Sequence, residues 1–327
     1  QDDAGQAPAD TAPGAHAGGD RAAAYDAVLD DGEAVAEVEI VVDEGALRVH
    51  GGEGGVRVRG RGDAPTVQRD GARVRVHAGK GGDVEMPRGA RLVFGGLPAA
   101  LSVRGVHGAI DGQRVDGDAR LADVGAVSLG AVGRMLDVEG VAGTLDVATV
   151  GGHARVAGVA GNAVLENVGG AARLADVAGD VAVTAGGSVK VALTPRPGGS
   201  YRVTAGGSIR WLSPEALNAS VSAVAGGRVR VDAPGARDAS GEEGWRYQAV
   251  LGEGGATIEL VAGGSVRVGS GSGPEGWERG FDGEPLGDMA ERIGFQVEGI
   301  AELISARIDE SIGGLPEALA QRGLSGD

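Results

Sequence analysis

Histidine and cysteine, the side chains that most often bind transition metals, are scarce in this chain. The sequence has no cysteine, which excludes disulfide bonds and thiolate metal sites. Its histidines are scattered, and no two of them stand at the short spacing of a zinc ligand pair. They are His16, His50, His77, His107 and His153. We therefore predict no metal site and no metal cofactor.

Carboxylates and glycine-rich segments give no stronger indication of chemistry. Calcium-binding rolls repeat a Gly-Gly-x-Gly-x-Asp pattern in register, and no such carboxylate series recurs here. Asp137 and Asp146 fall on successive predicted strands, hence on opposite faces, and not as an acid and base pair. Residues 51–55, Gly-Gly-Glu-Gly-Gly, lack the Lys-Ser/Thr of a phosphate loop and are predicted to be a turn. We expect no catalytic residue, no bound cofactor and no enzyme activity.

The elements that carry these residues follow a repeat of nine. A valine recurs at this spacing through the middle of the chain, with a single step of eight. The valines are Val106, Val115, Val124, Val132, Val141, Val150, Val159, Val168 and Val177. Before most of them stands an apolar, polar, apolar triplet, which is the pattern of a half-buried strand. Small residues and glycine follow, so each unit is predicted to be one short strand and one turn.

Two different nonapeptides alternate, which sets the size of a coil. The Thr149-Val150-Gly151 triplet has counterparts 18 residues before and after it, at 131–133 and 167–169. Later glycine pairs, such as Gly186-Gly187 and Gly206-Gly207, are 20 apart. The sequence therefore predicts an all-β fold, a single-stranded parallel β-helix with about 18 to 20 residues per coil, over residues 35–270. About twelve coils at roughly 4.8 Å each would give a rod of about 55 to 60 Å.

The two ends of the chain differ from this repeat. Residues 1–34 are predicted to be a disordered acidic tail and residues 271–284 a linker. Residues 285–327 carry an apolar stripe spaced by three or four from Met289 to Ile312, which predicts an amphipathic helix. We expect that helix to cover the open edge of a final strand near Val268; the alternative is that it mediates oligomerisation.

Charge and hydropathy limit the partners. The net charge is −16, whereas residues 45–270 alone carry +3 by the same counting. With this balance and 3% aromatic residues we predict no nucleic-acid partner. No run of 18 apolar residues occurs, so we predict no membrane span. The three tryptophans, Trp211, Trp245 and Trp277, are too few for a sugar-stacking platform and fall in the less regular late region.

The run from Leu101 to Val191, including LENVGGAARLADVAGDVAVTAGGSVKV, and LRVHGGEGGVRV at 47–58 resemble the bacterial putative-adhesin β-solenoid family of the domain-of-unknown-function type. The resemblance implies a right-handed parallel β-helix and an adhesin-like surface role, with no catalytic residues. We therefore expect a non-enzymatic structural or binding solenoid. The alternatives are a self-assembling bactofilin-like scaffold, associating through its ends or the C-terminal helix, and a polysaccharide-active β-helix enzyme. A cell-surface or secreted location is favoured over the cytoplasm, and Gln1 fits either a processed or an excised start.

Overall fold

The fold is a solenoid of two facing sheets. A computed structural model describes residues 24–30, 32–61, 63–232 and 245–270, and these form 26 strands in two 13-stranded sheets. In chain order the strands are β1 (Ala24–Leu29), β2 (Glu37–Val42), β3 (Leu47–Gly52), β4 (Val56–Arg61), β5 (Thr66–Asp70), β6 (Arg73–Ala78), β7 (Gly82–Pro87), β8 (Arg91–Leu97), β9 (Leu101–Arg104), β10 (Ile110–Val115), β11 (Ala119–Val124), β12 (Val127–Val132), β13 (Leu136–Val141), β14 (Leu145–Val150), β15 (Ala154–Val159), β16 (Ala163–Val168), β17 (Ala172–Val177), β18 (Val181–Ala185), β19 (Val189–Ala192), β20 (Ser200–Ala205), β21 (Ile209–Ser213), β22 (Ala219–Ala225), β23 (Val229–Asp232), β24 (Arg246–Leu251), β25 (Ala256–Ala262) and β26 (Val266–Ser270).

Each coil contributes one strand to each sheet. Sheet A has the order β1-β4-β7-β3-β9-β11-β13-β15-β17-β19-β21-β26-β23, and sheet B has the order β24-β22-β25-β20-β18-β16-β14-β12-β10-β8-β2-β6-β5. In the middle of the rod the parallel register joins residues 18 apart, as in Leu136 with Ala154. The alternation of two nonapeptides is thereby confirmed as one strand on each of two faces. Twelve steps of about 4.8 Å along sheet A give about 58 Å.

The recurring valine points into the core because the strand changes its alternation before reaching it. In β15 the buried residues are Ala154, Val156 and Val159, the first, third and sixth positions. Gly158, in the fifth position, has φ +70°, and this left-handed residue turns the next side chain inward. The fifth position repeats this conformation in neighbouring sheet A units, at Gly105, Asp123, Gly140, Gly158 and Asp176. In sheet A a left-handed residue therefore places the recurring valine in the core. The valines of sheet B, such as Val150, are also buried in the sixth position, but the residue before them has no positive φ.

The corner that leads from sheet B to sheet A needs glycine for a different reason. A Cβ atom added to Gly151 would lie 2.3 Å from the carbonyl oxygen of Gly133, and one added to Gly169 would lie 2.4 Å from that of Gly151. Successive corners stack so closely that no side chain fits between them. The same backbone is hydrogen bonded from coil to coil, with Gly169 N donating to Val150 O over 2.8 Å.

Coils at both ends of the rod are stacked out of sequence order. The coil β25–β26 lies between β20–β21 and β22–β23, and the coil β2–β3 lies between β6–β7 and β8–β9. Strands β1, β4, β5 and β24 pair antiparallel with their neighbours. The expectation of a purely parallel rod of coils in sequence order was therefore wrong at the ends.

The structure also differs from two expectations about particular residues, one for Val268 and one for residues 24–29. Val268 lies in β26, which pairs with β21 on one side and β23 on the other, so it does not end in an open edge as predicted. Residues 24–29, inside the segment predicted to be disordered, form β1, where the Tyr25 hydroxyl donates to Gly81 O over 2.8 Å. The predicted helix over residues 285–327 lies outside the described residues.

The aromatic side chains of the late coils belong to the core. Trp211 and Tyr201 are both fully buried and meet edge to face, with ring centroids 5.6 Å apart. The expectation that Trp211 falls in an irregular region was wrong, since it lies on the regular strand β21. Phe94 fills the space left by Gly112 of the next coil, where a Cβ atom would lie 2.1 Å from the ring.

Candidate binding face

The residues considered first for chemistry do not converge in the structure. Asp137 lies in β13 of sheet A and Asp146 in β14 of sheet B, on different faces as predicted. His107 contacts Asp123 at 3.3 Å on the surface, and the Nδ1 atom of His153 accepts a hydrogen bond from Ala171 N over 3.0 Å. Within the described ranges no three His, Cys, Asp or Glu residues come together as metal ligands.

The other candidate residues lie in separate places. His77 lies 3.1 Å from Asp43, and His50 is exposed on β3. His16 lies outside the described residues. Gly51 and Gly52 end strand β3, and residues 53–55 form the bend that joins β3 to β4, so the predicted turn covers only the second part of this segment. A Cβ atom on Gly51 would lie 1.8 Å from the Gly105 carbonyl oxygen. In the part of the chain that the structure describes, no helix could cross a bilayer.

A continuous series of cations lies on the outer face of sheet A. The register pairs Arg155 with Arg173, Arg173 with Lys190, Lys190 with Arg210, Arg210 with Arg267, and Arg267 with Arg230. We call these six residues the cationic row. Each occupies the second position of its strand, between two inward-facing side chains. Five steps of about 4.8 Å make the cationic row about 24 Å long.

Two further rows run beside the cationic row. Residues two places after each cation point to the same face, since residues two apart on a strand point the same way. Residues two places before each cation lie at the corner just before the strand begins. The corner row, two residues before each cation, consists of His153, Ala171, Ser188, Ser208, Ser265 and Arg228. The small-residue row, two residues after each cation, consists of Ala157, Ala175, Ala192, Leu212, Gly269 and Asp232. The cations are therefore bordered mainly by short side chains.

Serine hydroxyls in the corner row bind the backbone of the next coil. Ser188 Oγ accepts from Ser208 N over 3.1 Å, and Ser208 Oγ accepts from Ser265 N over 3.1 Å. Ser265 Oγ accepts from Arg228 N over 3.4 Å. Because each hydroxyl is the acceptor in these bonds, it keeps its own hydrogen for donation to another group.

The electrostatics of the cationic row differ from its centre to its end. Arg230 and Arg267 donate to the carboxylate of Asp232 over 2.8 and 3.0 Å, and the hydrogen bond from Arg230 is the main cause that lowers the pKa of Asp232. At the centre, burial lowers the pKa of Lys190, and the charges of Arg173 and Arg210 lower it further. The central cations therefore repel one another.

Sheet B does not carry a comparable series. Its corresponding positions in the same coils are Asp146, Val164, Ala182, Arg202, Glu259 and Ser222. Arg202 forms an ion pair with Glu259 over 2.8 Å. In these six coils the uninterrupted series of cations is therefore confined to sheet A.

The sequence contains a signal for the cationic row that the analysis of single strands missed. Six coils share the motif Gly-Gly-x-Ala/Val/Ile-Arg/Lys, at 151–155, 169–173, 186–190, 206–210, 226–230 and 263–267. The glycine pairs and the strand signatures were identified separately. Aligning the cations on the glycine pairs shows that all six have the same place in the coil.

Comparisons with known proteins establish no family for the chain. No protein-family model matches it, and no curated protein does. Among solved structures, one match is a putative cell adhesion protein from Clostridium sporogenes, with 9% sequence identity and a TM-score of 0.20. The match covers 77% of this chain and 100% of that chain. The resemblance to an adhesin-like family of unknown function therefore stays an expectation from sequence.

Proposed function

We propose that this chain is a non-enzymatic binding solenoid of adhesin-like type, and that the outer face of sheet A binds an anionic partner. The observation that carries the proposal is the in-register series of six cations in a chain of net charge −16. A series of like charges on one face attracts a ligand of opposite charge. Arginine suits such a face because its guanidinium group binds carboxylates or phosphates in a bidentate manner.

The proposal includes the absence of enzyme activity. A hydrolase acting on polysaccharides would need two carboxylates flanking the scissile bond. The cationic row has one carboxylate at its end, Asp232, and that group is held by Arg230 and Arg267. Asp137, which precedes Arg155 in the register, is on the same face at the opposite end. Asp137 and Asp232 are separated by about six strands, or about 29 Å, too far to act on one bond. Glu139, two residues after Asp137 on β13, points to the same face. We propose that this pair, which lies beyond the end of the cationic row, is not catalytic, and a hydrolysis assay with acidic polysaccharides tests this.

The scaffold alternative receives less support from the ends of the rod. An end coil that assembles with another molecule needs an open strand edge for pairing. The outermost strands β1, β5 and β24 are antiparallel additions, and β23 is a short strand of four residues. Strands β5 and β24 carry charged side chains, Arg69 and Arg246, although Val28 on β1 and Val250 on β24 are exposed. Short or charged edge strands are typical of ends that avoid stacking.

Three finer features belong to the proposal as predictions. We retain the right-handed winding of the coil, the amphipathic helix over residues 285–327, and a cell-surface or secreted location. Fractionation of cells that express the natural protein measures the location directly. Recovery in the cytoplasm alone would exclude the adhesin-like role and leave the binding face to an internal partner.

A direct test uses polyacrylate, a flexible polymer of carboxylates, with polyacrylamide as the neutral control. We expect the protein to bind polyacrylate and to release it as salt rises, and not to bind polyacrylamide. The double variant Arg173→Gln/Arg210→Gln should lose most of the binding, whereas Arg202→Gln on sheet B should keep it. Equal binding by the double variant and the unchanged protein would refute the proposal.

A further inference from the structure

The geometry points to a specific class of ligand for this face, an extended acidic polysaccharide that lies along the solenoid axis. The inference rests on the proposed function, because it assumes that sheet A binds an anion. It adds the chemical class of that anion and the direction in which the anion lies on the face. Three observations carry it: the direction of the cationic row, the hydroxyls of the corner row, and the lack of bulk in the small-residue row.

The cationic row favours a linear ligand over a compact one. Successive cations belong to successive strands, so the row runs across the strands and along the length of the rod. A single phosphate or carboxylate would engage two or three adjacent cations and leave the others. A chain with one carboxylate on each sugar ring extends a series of charges in one direction. Such a chain matches a row that is about 24 Å long.

The corner row supplies hydrogen bonds suited to sugar hydroxyls. Ser188, Ser208 and Ser265 form a second line, parallel to the cations and about 6.6 Å away along each strand. Each hydroxyl accepts a bond from the backbone and keeps its hydrogen for an outside acceptor. A ligand that carries both carboxylates and hydroxyls can use both lines at once, whereas a plain polyphosphate can use the serines only with its phosphates.

The small-residue row gives the rings room to approach. Ala157, Ala175 and Ala192 end at their Cβ atoms, and Gly269 has no side chain. Leu212, which follows Ala192 in the register, and Asp232 at the end are the larger members of this row. The flat part of the strip therefore lies beside Arg155, Arg173 and Lys190. The carbon-bound hydrogens on one side of a pyranose ring can pack against such methyl groups, which places the carboxylate of the ring beside the guanidinium groups.

Nucleic acid fits this face less well. Proteins that bind single strands stack the bases on aromatic side chains. Tyr201 and Trp211, the aromatic residues of the β20–β21 coil, are fully buried in the core and face away from solvent. The three outward rows carry His153 as their single aromatic ring in the described residues. The cationic row alone would attract a phosphate backbone. The test must therefore distinguish nucleic acid from acidic polysaccharide as the ligand.

The test measures the affinity of the full chain for oligogalacturonates of three, six and twelve sugar rings. The comparison probes are neutral oligosaccharides of equal length and an oligothymidylate of twelve nucleotides. We expect affinity to rise steeply from three to six rings and little beyond, because the cationic row ends after about 24 Å. Arg173→Gln/Arg210→Gln should weaken binding of the six-ring probe at least about tenfold. The slope of log affinity against log salt concentration should also fall by the contribution of about two ionic contacts.

A matched variant tests the flat strip. Ala175→Trp places a large ring in the small-residue row without changing charge, and we expect it to weaken the six-ring probe by about tenfold. Ala182→Trp at an outward position of sheet B is the control and should leave affinity unchanged. Thermal melting of each variant shows whether the coil is still folded before affinities are compared.

The outcomes separate the inference from the proposed function. Equal affinity for three and twelve rings would overturn axial binding. Tighter binding of oligothymidylate than of the six-ring oligogalacturonate would overturn the polysaccharide and leave an anion-binding face. Failure of every probe to bind, with polyacrylate also unbound, would overturn both. Length-dependent binding that survives in Arg173→Gln/Arg210→Gln would place the site elsewhere and overturn both as well.

Discussion

Lys190 lies in the middle of the cationic row, and we predict that removing its charge stabilises the fold. Its register partners on both sides are Arg173 and Arg210, and burial together with those two charges lowers the pKa of Lys190. Two unit charges about 5 Å apart repel by about 0.8 kcal/mol in water. Two neighbours therefore give about 1.6 kcal/mol at the dielectric constant of water. Partial burial increases this energy, and the freedom of long side chains to move apart decreases it. We expect Lys190→Met to raise the free energy of unfolding by about 1 kcal/mol at low salt.

Salt and pH show whether the gain is electrostatic. At about 1 M salt the screening length falls to about 3 Å, so we expect the gain to shrink to a few tenths of a kcal/mol. The folded pKa of Lys190 lies below its ordinary 10.5. The penalty of the charged form is therefore present in full below the folded pKa and is lost as pH rises towards 10.5. The difference in stability between Lys190→Met and the unchanged protein should therefore narrow as pH rises towards 10.5.

The assay is thermal or urea unfolding at low and high salt. The control is Lys80→Met, which removes the other lysine of the chain from an exposed turn. We expect that variant to change stability by less than about 0.5 kcal/mol. A Lys190→Met protein that is less stable than the unchanged one, or whose gain is the same at both salt concentrations, would refute the assignment of repulsion to the cationic row.

Three further predictions concern the frame that holds the face. Val156 is fully buried, so Val156→Asp should lower the free energy of unfolding by about 3 kcal/mol or more. The neighbouring Arg155 is exposed, so Arg155→Asp should change the free energy of unfolding far less. Urea titration of the two variants measures the difference. Gly158→Val should cost about 1 to 2 kcal/mol through its φ of +70°, and Gly158→Asn clearly less, in thermal melts. Asp180 accepts hydrogen bonds from Ser200 N and Arg196, and these bonds lower the pKa of its carboxyl group. The ionised carboxylate therefore stabilises the fold at neutral pH, and this stabilisation is lost as acid protonates Asp180 below about pH 4. Asp180→Asn should remove that pH-dependent contribution, which acid unfolding measures.

The sequence determines the middle of the rod well because one physical rule repeats there. A coil of 18 residues places Val138, Val156 and Leu174 above one another, and all three are buried as the alternation predicts. The sixth-position valine was identified by its spacing alone. In sheet A its cause is the left-handed residue before it, and this could have been inferred from the Gly or Asp that precedes the alternate valines, as at Asp123 and Gly140.

The order of coils at the ends could not be predicted from the repeat. Strands at 229–232 and 266–270 carry almost the same signature, and either could stack on β21 with the same buried residues. Backbone hydrogen bonds between parallel strands do not depend on side-chain identity, so local sequence does not distinguish the two orders. Antiparallel β24, which pairs with β22 beyond the last coil, is likewise invisible to a search for parallel units.

The cationic row was missed because its members are distant in sequence. Arg210 and Arg267 are 57 residues apart and become neighbours only when β26 stacks on β21. The net charge of −16 also directed attention to the acidic ends, although residues 45–270 carry +3. Charge summed over a chain says little about one face of a rod. Charge aligned on the glycine pairs of successive coils shows the row directly.

The cost of the cationic row to stability is also an argument for its function. Parallel strands fix the spacing of the cations, so the row cannot relax by moving its backbone, and Lys190 stays between Arg173 and Arg210. An anion that binds only the folded face stabilises it by RT ln(1 + [L]/Kd), which is about 2.7 kcal/mol at a hundredfold excess over Kd. That gain is of the same order as the repulsion of about 1.6 kcal/mol at Lys190 in water. The occupied rod should therefore melt at a higher temperature than the free one, and Lys190→Met should gain less from the same ligand because less repulsion remains to be relieved.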